Sequence, residues 1–458
     1  MANNYFSFLK ILRMKLVTCI AILAFASCTS PKSDQEKQSP ATLLLKNVNV
    51  IKGDGSAAQE GMSILIENGK ISSVGKDVAA KDATVVDLSG KTIMPAIISA
   101  HSHIGMLKGT GANADNYTRE NILSQLNKYA QYGVLQVQIL GTDRPSLFQN
   151  GLYDSIRNGL LDGARMLSAG YGFNSPQQNV DPNSPMGRVF RPTSPDLVAA
   201  ELDSLKALDI HIVKMWVDDF NKTVPKMDPA VYNAIIQEAH KRNMRVAAHV
   251  YYLSDARRLV EDGVDILAHS IRDSVVDDAF LANMKAKNVV YVPTLVLEKF
   301  ANAYAGNPEW INDEFFKNSL EPGVYEMITS EKNRNDVKNS PAFARNENAY
   351  KVSLVNCKKI FDAGIKVALG TDSGAMPIRT QGYSEHLEMQ LLVEAGLTPL
   401  QALSVATKNA ADALQQSDEG LIENGRRADL LILNGDPSVD IKNTQNIFSV
   451  YKGGRKVR

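Results

Sequence analysis

The strongest constraint on the fold is an alternation, through the middle of the chain, of short apolar segments with amphipathic stretches. Eight apolar segments have the length and composition of buried strands: 97–103, 134–140, 164–170, 210–217, 245–250, 265–270, 289–295 and 366–372. Amphipathic stretches such as PAVYNAIIQEAHKRN and LSDARRLVEDG separate most of them. This order is typical of a parallel sheet covered by helices. Eight such units over about 280 residues predict an α/β fold, a (β/α)8 TIM-like barrel.

An open, doubly wound sheet is the alternative architecture. Such a sheet normally carries a Gly-rich phosphate-binding turn after its first strand, and that turn is absent from this sequence. The long segment 300–350, between the seventh and eighth predicted strands, contains NPEWINDEFFKN and is predicted to add helix. Because it follows the carboxyl end of a strand, it is placed to act as a lid.

The flanks of this region have a different pattern. Residues 41–93 and 424–458 contain short alternating runs, such as TLLLKNVNVI and ADLLILN, separated by Gly and Asn. This pattern predicts a small β-sandwich domain that both chain ends build together. Residues 94–423 then form the barrel.

The N-terminal segment has the pattern of a signal peptide. Basic residues precede an apolar run from Leu16 to Ala26, and a polar stretch follows, which predicts a signal over 1–28 and a tether over 29–40. A transmembrane helix is the alternative, but the run is short of the ~20 apolar residues that a bilayer requires. The residues around Cys28 resemble a bacterial lipobox, which implies lipidation of Cys28 and membrane anchoring; cleavage after Ala26 is the other possibility. Both predict export to the periplasm or cell envelope.

Charge and cysteine content narrow the classes of partner. The 50 basic and 50 acidic residues cancel and form no long single-sign run, which argues against nucleic acid and favours a small molecule. Cys357 is the one cysteine that would remain in the folded body, so no disulfide framework is expected. Its apolar helical surroundings predict a buried structural thiol. Homo-oligomerisation stays open.

Histidines are concentrated at the ends of the predicted strands. His101, His103, His249 and His269 lie there, and Asp372 ends the eighth strand. The carboxyl ends of barrel strands converge on one site, and His101 and His103, two residues apart on a strand, face the same side. A single histidine at a strand end is more often a hydrogen-bonded core residue, so the prediction depends on the combination. Several imidazoles with a carboxylate suit zinc or a similar transition metal.

Lys214 interrupts the apolar strand IHIVKMWV. By a period of two it shares a face with Ile212 and Trp216, near the carboxyl end of the strand. A buried, unpaired ammonium is costly, and burial can lower a lysine pKa by ~3 to 5 units. A neutral amine can react with carbon dioxide to form a carbamate, which presents two oxygens. Lys214 is therefore a candidate anionic ligand that bridges two metals.

These motifs resemble the amidohydrolase superfamily, in particular its binuclear branch, similar to Xaa-Pro dipeptidases and imidazolonepropionase-like proteins. The motifs that carry the resemblance are MPAIISAHSH, VKMWVDD, VAAHV, ILAHS and GTDSG, together with the run LLVEAGLTPLQALSVATKNAA and the tail GRRADLLILNGDP. They span nearly the whole chain that would remain after signal removal.

The resemblance implies a pair of divalent metal ions, with zinc as the first choice. The side chains that would hold them are His101, His103, Lys214, His249, His269 and Asp372. The first two histidines would hold one metal and the later two the other. A carboxylated Lys214 would bridge the two metals, and Asp372 would complete the coordination of the first one. Such a pair generates hydroxide near neutral pH and polarises a carbonyl, while Asp372 would carry the proton to the leaving amine.

The predicted function is that of an exported, metal-dependent amidohydrolase that cleaves the C–N bond of a dipeptide or N-acyl amino acid. Tyr251, Tyr252 and Arg272, just beyond ligand-bearing strands, are candidates to receive a substrate carboxylate, with surface or helix-capping contacts as their alternative role. Hydrolysis of a cyclic amide, a lactone or another non-peptidic amide is a second possibility. A non-catalytic, ligand-binding lipoprotein is a third, from a different class.

Overall fold

A computed structural model describes residues 42–178 and 180–458. The predicted signal peptide, the tether and Cys28 therefore lie outside the described residues. The described residues all belong to one compact unit. Within this part of the chain, no helix combines the length and the apolar character that a bilayer crossing requires.

The described chain begins with five strands, which are β1 (Leu43–Val50), β2 (Gln59–Glu67), β3 (Lys70–Gly75), β4 (Thr84–Asp87) and β5 (Thr92–Pro95). β1 pairs antiparallel with β2 and parallel with both β4 and β5. A bulge interrupts β1 between Leu45 and Val48, where Asn47 has a positive φ of 59°. Because the bulge adds one residue, Leu45 and Val48 enter the same apolar cluster despite their odd spacing.

The next strands are β6 (Ile97–Ser102), β7 (Leu107–Lys108), β8 (Gly111–Ala112), β9 (Val134–Ile139), β10 (Arg165–Ser168), β11 (Ile212–Trp216), β12 (Arg245–His249), β13 (Ile266–Ala268) and β14 (Val290–Val292). β7 and β8 form a short antiparallel pair. The others are parallel, with β6, β9 and β10 in one sheet and β11 to β14 in sequence order in another.

Backbone hydrogen bonds join these two sheets at both edges. They are Phe173 N to Lys214 O (2.8 Å), Trp216 N to Phe173 O (2.9 Å), Ala368 N to Tyr291 O (2.9 Å) and Thr371 N to His101 O (2.9 Å). The first two connect the continuation of β10 to β11, and the last two place segment 366–373 between β14 and β6. Residues 366–372 were predicted as a full strand, but the structure has only isolated bridges here, at Val367 and, one residue beyond the predicted end, at Ser373.

The eight segments share one apolar interior. A single cluster contains a residue from each of them, namely Ile98, Leu140, Ala169, Ile212, Ala247, Ile266, Val290 and Ala368. Alternate positions along the strands supply these side chains, as the period of two requires. Alanines are frequent in the cluster, which leaves space for larger polar side chains further along the strands.

Fourteen helices accompany the strands in the described residues: α1 (Arg119–Gln131), α2 (Leu152–Arg157), α3 (Val198–Ala207), α4 (Pro229–Lys241), α5 (Leu253–Asp262), α6 (Asp278–Ala286), α7 (Leu295–Ala303), α8 (Glu314–Lys317), α9 (Val324–Thr329), α10 (Glu331–Lys338), α11 (Phe343–Asp362), α12 (Tyr383–Glu394), α13 (Pro399–Ala406) and α14 (Lys408–Ala413). The α8 to α10 helices lie within 300–350, as predicted. Asp228 caps the N-terminus of α4, and Pro229 is the first residue of this helix. Cys357 in α11 is fully buried and unpaired, which confirms the structural thiol.

The chain ends with β15 (Leu430–Leu433), β16 (Ile447–Lys452) and β17 (Arg455–Lys456). β15 pairs antiparallel with β5, so strands from both parts of the chain share one eight-stranded sheet. Its order is β17-β16-β15-β5-β1-β2-β3, with β4 beside β1.

Candidate metal centre

The histidines singled out from the sequence meet at one end of the parallel strands. His101, His269 and Asp372 offer ligand atoms that all lie within 4.8 Å of one another. His103 Nε2 lies 2.9 Å from Asp372 Oδ1, and the ring centroids of His249 and His269 are 4.3 Å apart. All five side chains are buried. Residues separated by up to 271 positions in the sequence, from His101 to Asp372, therefore form one continuous polar group.

The backbone at this site is strained. Asp372 has a φ of 57° and His269 a φ of 80°, both in the left-handed region that non-glycine residues seldom adopt. Thr294, which contacts His269, has a φ of 50°. Each such residue costs of order 1–3 kcal/mol, and strain of this kind clusters at functional sites.

In three of the histidines, one ring nitrogen forms a hydrogen bond with a residue outside the group. The pairs are His103 Nδ1 with Thr142 Oγ1, His269 Nδ1 with Thr294 Oγ1, and His249 Nε2 with Asp218 Oδ2, all at 2.8 Å. Contacts of this type orient imidazole ligands and select the tautomer. The nitrogen left over in His249 is Nδ1, which is buried and has no hydrogen-bond partner among the described residues.

The protonation states favour metal ligation. Burial lowers the pKa of His101 to about 3 and that of His249 to about 4, and burial holds the pKa of His269 well below its ordinary value. All three are therefore neutral at pH 7, which is the form that binds a metal. His101 Nε2 lies 3.3 Å from Asp372 Oδ1 outside hydrogen-bonding geometry, so both of its buried nitrogens lack a hydrogen bond in the described structure.

Lys214 is fully buried on β11, two residues beyond Ile212, which belongs to the shared apolar interior. Its Nζ has no hydrogen-bond partner within residues 42–178 and 180–458. Burial lowers its pKa to about 7, so a large fraction of the amine is neutral at physiological pH. Gly141 makes room for it, because a Cβ there would lie 2.8 Å from Lys214 Cβ.

Asp372 is held in its ionised form. Burial raises the pKa of this carboxyl group, but the ion pair with Arg379 and the contact with His103 outweigh burial and keep the pKa well below its usual value. The residues on either side of it are anchored to buried Glu385, whose Oε1 accepts from Thr371 Oγ1 (2.6 Å) and Ser373 Oγ (2.8 Å).

A cavity of about 440 Å³ opens onto this polar group. Its lining includes His103, His249, His269 and Asp372, and also all three proposed substrate-binding residues, Tyr251, Tyr252 and Arg272. Tyr252 donates its hydroxyl to Asp219 Oδ1 at 3.0 Å. Lys214 and His101 lie beneath this surface, fully buried.

Several site residues were missed at the level of sequence. These are Thr142, Asp218, Thr294, Glu298, Arg345 and Arg379. The acidic pair VDD directly after β11 is a local signal that could have identified Asp218. Arg345 has no comparable signal, because it lies in a helix more than 70 residues beyond the last predicted histidine.

The described chain is thus an α/β protein with a candidate metal centre at the carboxyl ends of parallel strands. The model of the Amidohydrolase family matches residues 92–457. The chain belongs to the amidohydrolase family, whose members generally bind divalent metals.

Relatives in sequence include enzymes. Ochratoxinase from Aspergillus niger is 28% identical over 244 residues, which cover 52% of this chain and 43% of that protein. The match therefore spans less than half of the length of that relative. Imidazolonepropionase from Geobacillus kaustophilus is 24% identical over 423 residues, which cover 87% of this chain and 90% of the other.

Solved structures share the fold. A proposed prolidase from Bifidobacterium longum superposes with a TM-score of 0.72 at 22% identity, covering 91% of this chain and 94% of the other. A Xaa-Pro dipeptidase with methionine bound in its active site gives 0.71 at 21% identity, covering 91% and 99%. These similarities bear out the resemblance to Xaa-Pro dipeptidase-like and imidazolonepropionase-like amidohydrolases.

Proposed function

We propose that this protein is a metal-dependent hydrolase that cleaves the C–N bond of a dipeptide or an N-acyl amino acid. The observation that carries the proposal is the buried group of four histidines and Asp372. Beneath the same cavity lies Lys214, whose Nζ has no hydrogen-bond partner among the described residues. Membership of the amidohydrolase family and the structural similarity to a Xaa-Pro dipeptidase support this class of substrate.

The donor set fits two divalent cations. Neutral imidazoles and an ionised carboxylate suit zinc, and His101, His249 and Lys214 each have a buried nitrogen without a hydrogen-bond partner in the described structure. We propose that Lys214 is carboxylated and shared between the two ions, since a fully buried amine with a pKa of about 7 can react as the free base. When bound, such ions would activate water and polarise the substrate carbonyl.

The chain's own residues have distinct roles in the proposed reaction. Asp372 accepts the proton of the attacking water and delivers it to the leaving nitrogen, for which its ionised form at neutral pH is required. Arg379, paired with Asp372 Oδ2, orients that carboxylate. The cavity of about 440 Å³ admits a small amide and limits the amount of water beside it.

The architecture proposed for this site is a closed (β/α)8 barrel over 94–423, with a β domain from 41–93 and 424–458 and a lid within 300–350. The edge-to-edge backbone hydrogen bonds and the shared apolar cluster support closure. Export and lipid anchoring at Cys28 are proposed from the N-terminal pattern alone. Mass spectrometry of the mature N-terminus distinguishes an acylated Cys28 from cleavage after Ala26.

Activity and metal content measured on one sample test the proposed function. After reconstitution with zinc and bicarbonate, the protein should bind on the order of two metal ions per chain and hydrolyse members of a panel of dipeptides and N-acyl amino acids. Lys214→Ala should lower kcat by at least ~100-fold, with partial rescue by short carboxylic acids. Lys206→Ala, on the exposed surface of α3, is the matched control and should retain full activity.

Fewer than one metal ion per chain would contradict the binuclear site, and full activity of Lys214→Ala would show that this lysine is structural. A second candidate is hydrolysis of a non-peptidic amide such as an imidazolone. The similarity to imidazolonepropionase, which covers most of both chains, favours a cyclic amide as this second class of substrate. If the enzyme hydrolyses no member of the peptide panel but does hydrolyse cyclic amides, this second function is the correct one.

A further inference from the structure

The charged side chains that line the cavity are three acids and three arginines, but not every arginine is paired with an acid. They are Asp218, Arg272, Glu298, Arg345, Asp372 and Arg379. Asp218 engages His249, Arg379 is paired with Asp372, and Arg272 Nε lies 2.7 Å from Glu298 Oε1. Arg345 has no acidic partner within 4 Å among the described residues. It is therefore the one guanidinium in the described lining that is left without a carboxylate.

Arg272, which the sequence makes a candidate to receive a substrate carboxylate, is engaged in contacts inside the cavity wall. Besides its contact with Glu298, its Nη1 donates to Ser270 O (2.8 Å) and Val250 O (3.1 Å). The side chain is buried, with a 5% exposed fraction, so these internal contacts occupy much of its donor fork. Arg272 is thus held in the cavity wall through its Nε and Nη1 atoms.

Arg345 is exposed but has a defined position. It lies in the first turn of α11, and its guanidinium carbon is 6.0 Å from the ring centroid of Tyr251. Asn302 on α7 clamps this turn by donating Nδ2 to Phe343 O and to Glu347 Oε1, both at 2.9 Å. The nearest acidic residue in sequence, Glu347, is therefore engaged with Asn302.

We infer that Arg345 is the binding point for a free carboxylate on the substrate, so that the enzyme selects carboxylate-bearing amides over neutral ones. This inference rests on the proposed function. A guanidinium binds a carboxylate through two parallel N–H donors, which sets orientation as well as charge. The cavity lining also includes apolar Leu297 and Ala301, which suit the hydrocarbon part of such a substrate.

The test compares matched substrates. An N-acyl amino acid and its carboxamide, which differ only in the terminal charge, are assayed with the zinc-reconstituted full-length enzyme and with Arg345→Gln. We expect the variant to lose about 10- to 100-fold in kcat/KM for the carboxylate substrate, mainly through KM, since a hydrogen bond to a charged group contributes about 1.5–3 kcal/mol. The carboxamide should be affected by no more than about twofold. Lys351→Gln removes an exposed cation of the same helix outside the cavity lining and should change neither substrate.

The outcomes separate this inference from the proposed function. If Arg345→Gln lowers kcat/KM equally for both substrates, so that the ratio of the two kcat/KM values is that of the wild type, the role of Arg345 is overturned. The proposed amidohydrolase activity is not affected by that result. A wild-type preference for the carboxamide would overturn the role of Arg345 as well. If the wild-type enzyme hydrolyses neither substrate nor any member of the peptide panel, the proposed function itself fails.

Discussion

At the scale of single residues, the hydrogen-bond partner of one ring nitrogen sets the tautomer and the orientation of a histidine in this site. Asp218 Oδ2 accepts from His249 Nε2, while Asp218 Oδ1 accepts from Phe220 N at 3.0 Å. Burial raises the pKa of Asp218, but the contacts with His249, the hydrogen bond from Phe220 N and the charge of Arg272 together outweigh burial and lower this pKa. An ionised carboxylate can only accept, so the proton of neutral His249 lies on Nε2 and Nδ1 carries the free lone pair.

Removing that acceptor should weaken metal binding. We expect Asp218→Leu to lower metal affinity by about 10- to 100-fold, because the imidazole loses its orientation and tautomer. Asp218→Asn keeps an acceptor oxygen and should lose less. The measurement is competition with a chromophoric chelator, and Asp219→Asn, one residue further on, is the control. Wild-type affinity in Asp218→Leu would mean that the contact does not position His249.

At the scale of elements, segment 366–373 depends on one glycine. A Cβ at Gly370 would lie 2.4 Å from Val292 Cγ1 and 2.8 Å from His101 Cβ, on the two strands that flank the segment. The close approach therefore requires the absence of a side chain at this position. It brings Asp372, two residues later, to His101 and His103.

Gly370→Ala should destabilise the fold by about 1–3 kcal/mol, the usual cost of overpacking a tight core. Urea unfolding followed by circular dichroism measures this change. Gly306→Ala is the matched control, because nothing lies within 4 Å of its added Cβ, and it should change the unfolding free energy by no more than ~0.5 kcal/mol. Equal stability of Gly370→Ala and the wild type would show that the segment can move outward at no cost.

At the scale of the whole molecule, a buried ion-pair network ties the parallel strands to the eight-stranded sheet. Arg165 on β10 has its Nε 3.1 Å from Glu419 Oε1 and is also paired with Asp429, which directly precedes β15. Asp429 Oδ1 in turn accepts from Gly453 N at 2.8 Å, between β16 and β17. These contacts hold β10 and β15 together, although the two strands are about 270 residues apart in sequence. Arg165 and Glu419 are both buried.

Breaking this network should be costly. Arg165→Met leaves buried carboxylates without their main partner, and we expect a loss of about 3–5 kcal/mol in the free energy of unfolding. Thermal and urea denaturation provide the measurement. Arg455→Met is the control, because its partner Asp162 is 3.0 Å away at the surface with a 77% exposed side chain, and such pairs contribute ~0–1 kcal/mol. A loss no larger than that of the control would rule out a structural role for the network.

The strand positions, the histidines at the strand ends and the buried lysine could all be predicted from the amino-acid sequence. These features are local: a period of two, an apolar run and one misplaced charge are visible within ten residues. Seven of the eight predicted segments contain an observed strand, and Lys214 is as deeply buried as its neighbours imply.

The partners of the charged side chains in the cavity lining could not be predicted from the sequence, because they depend on tertiary contacts. That Arg272 contacts Glu298, that Asp218 accepts from His249 and that Arg345 is left without an acidic partner in the described cavity lining depend on elements that meet through packing. No local pattern encodes such contacts, because the free energy of a charge depends on which groups surround it in three dimensions and on how far water is excluded.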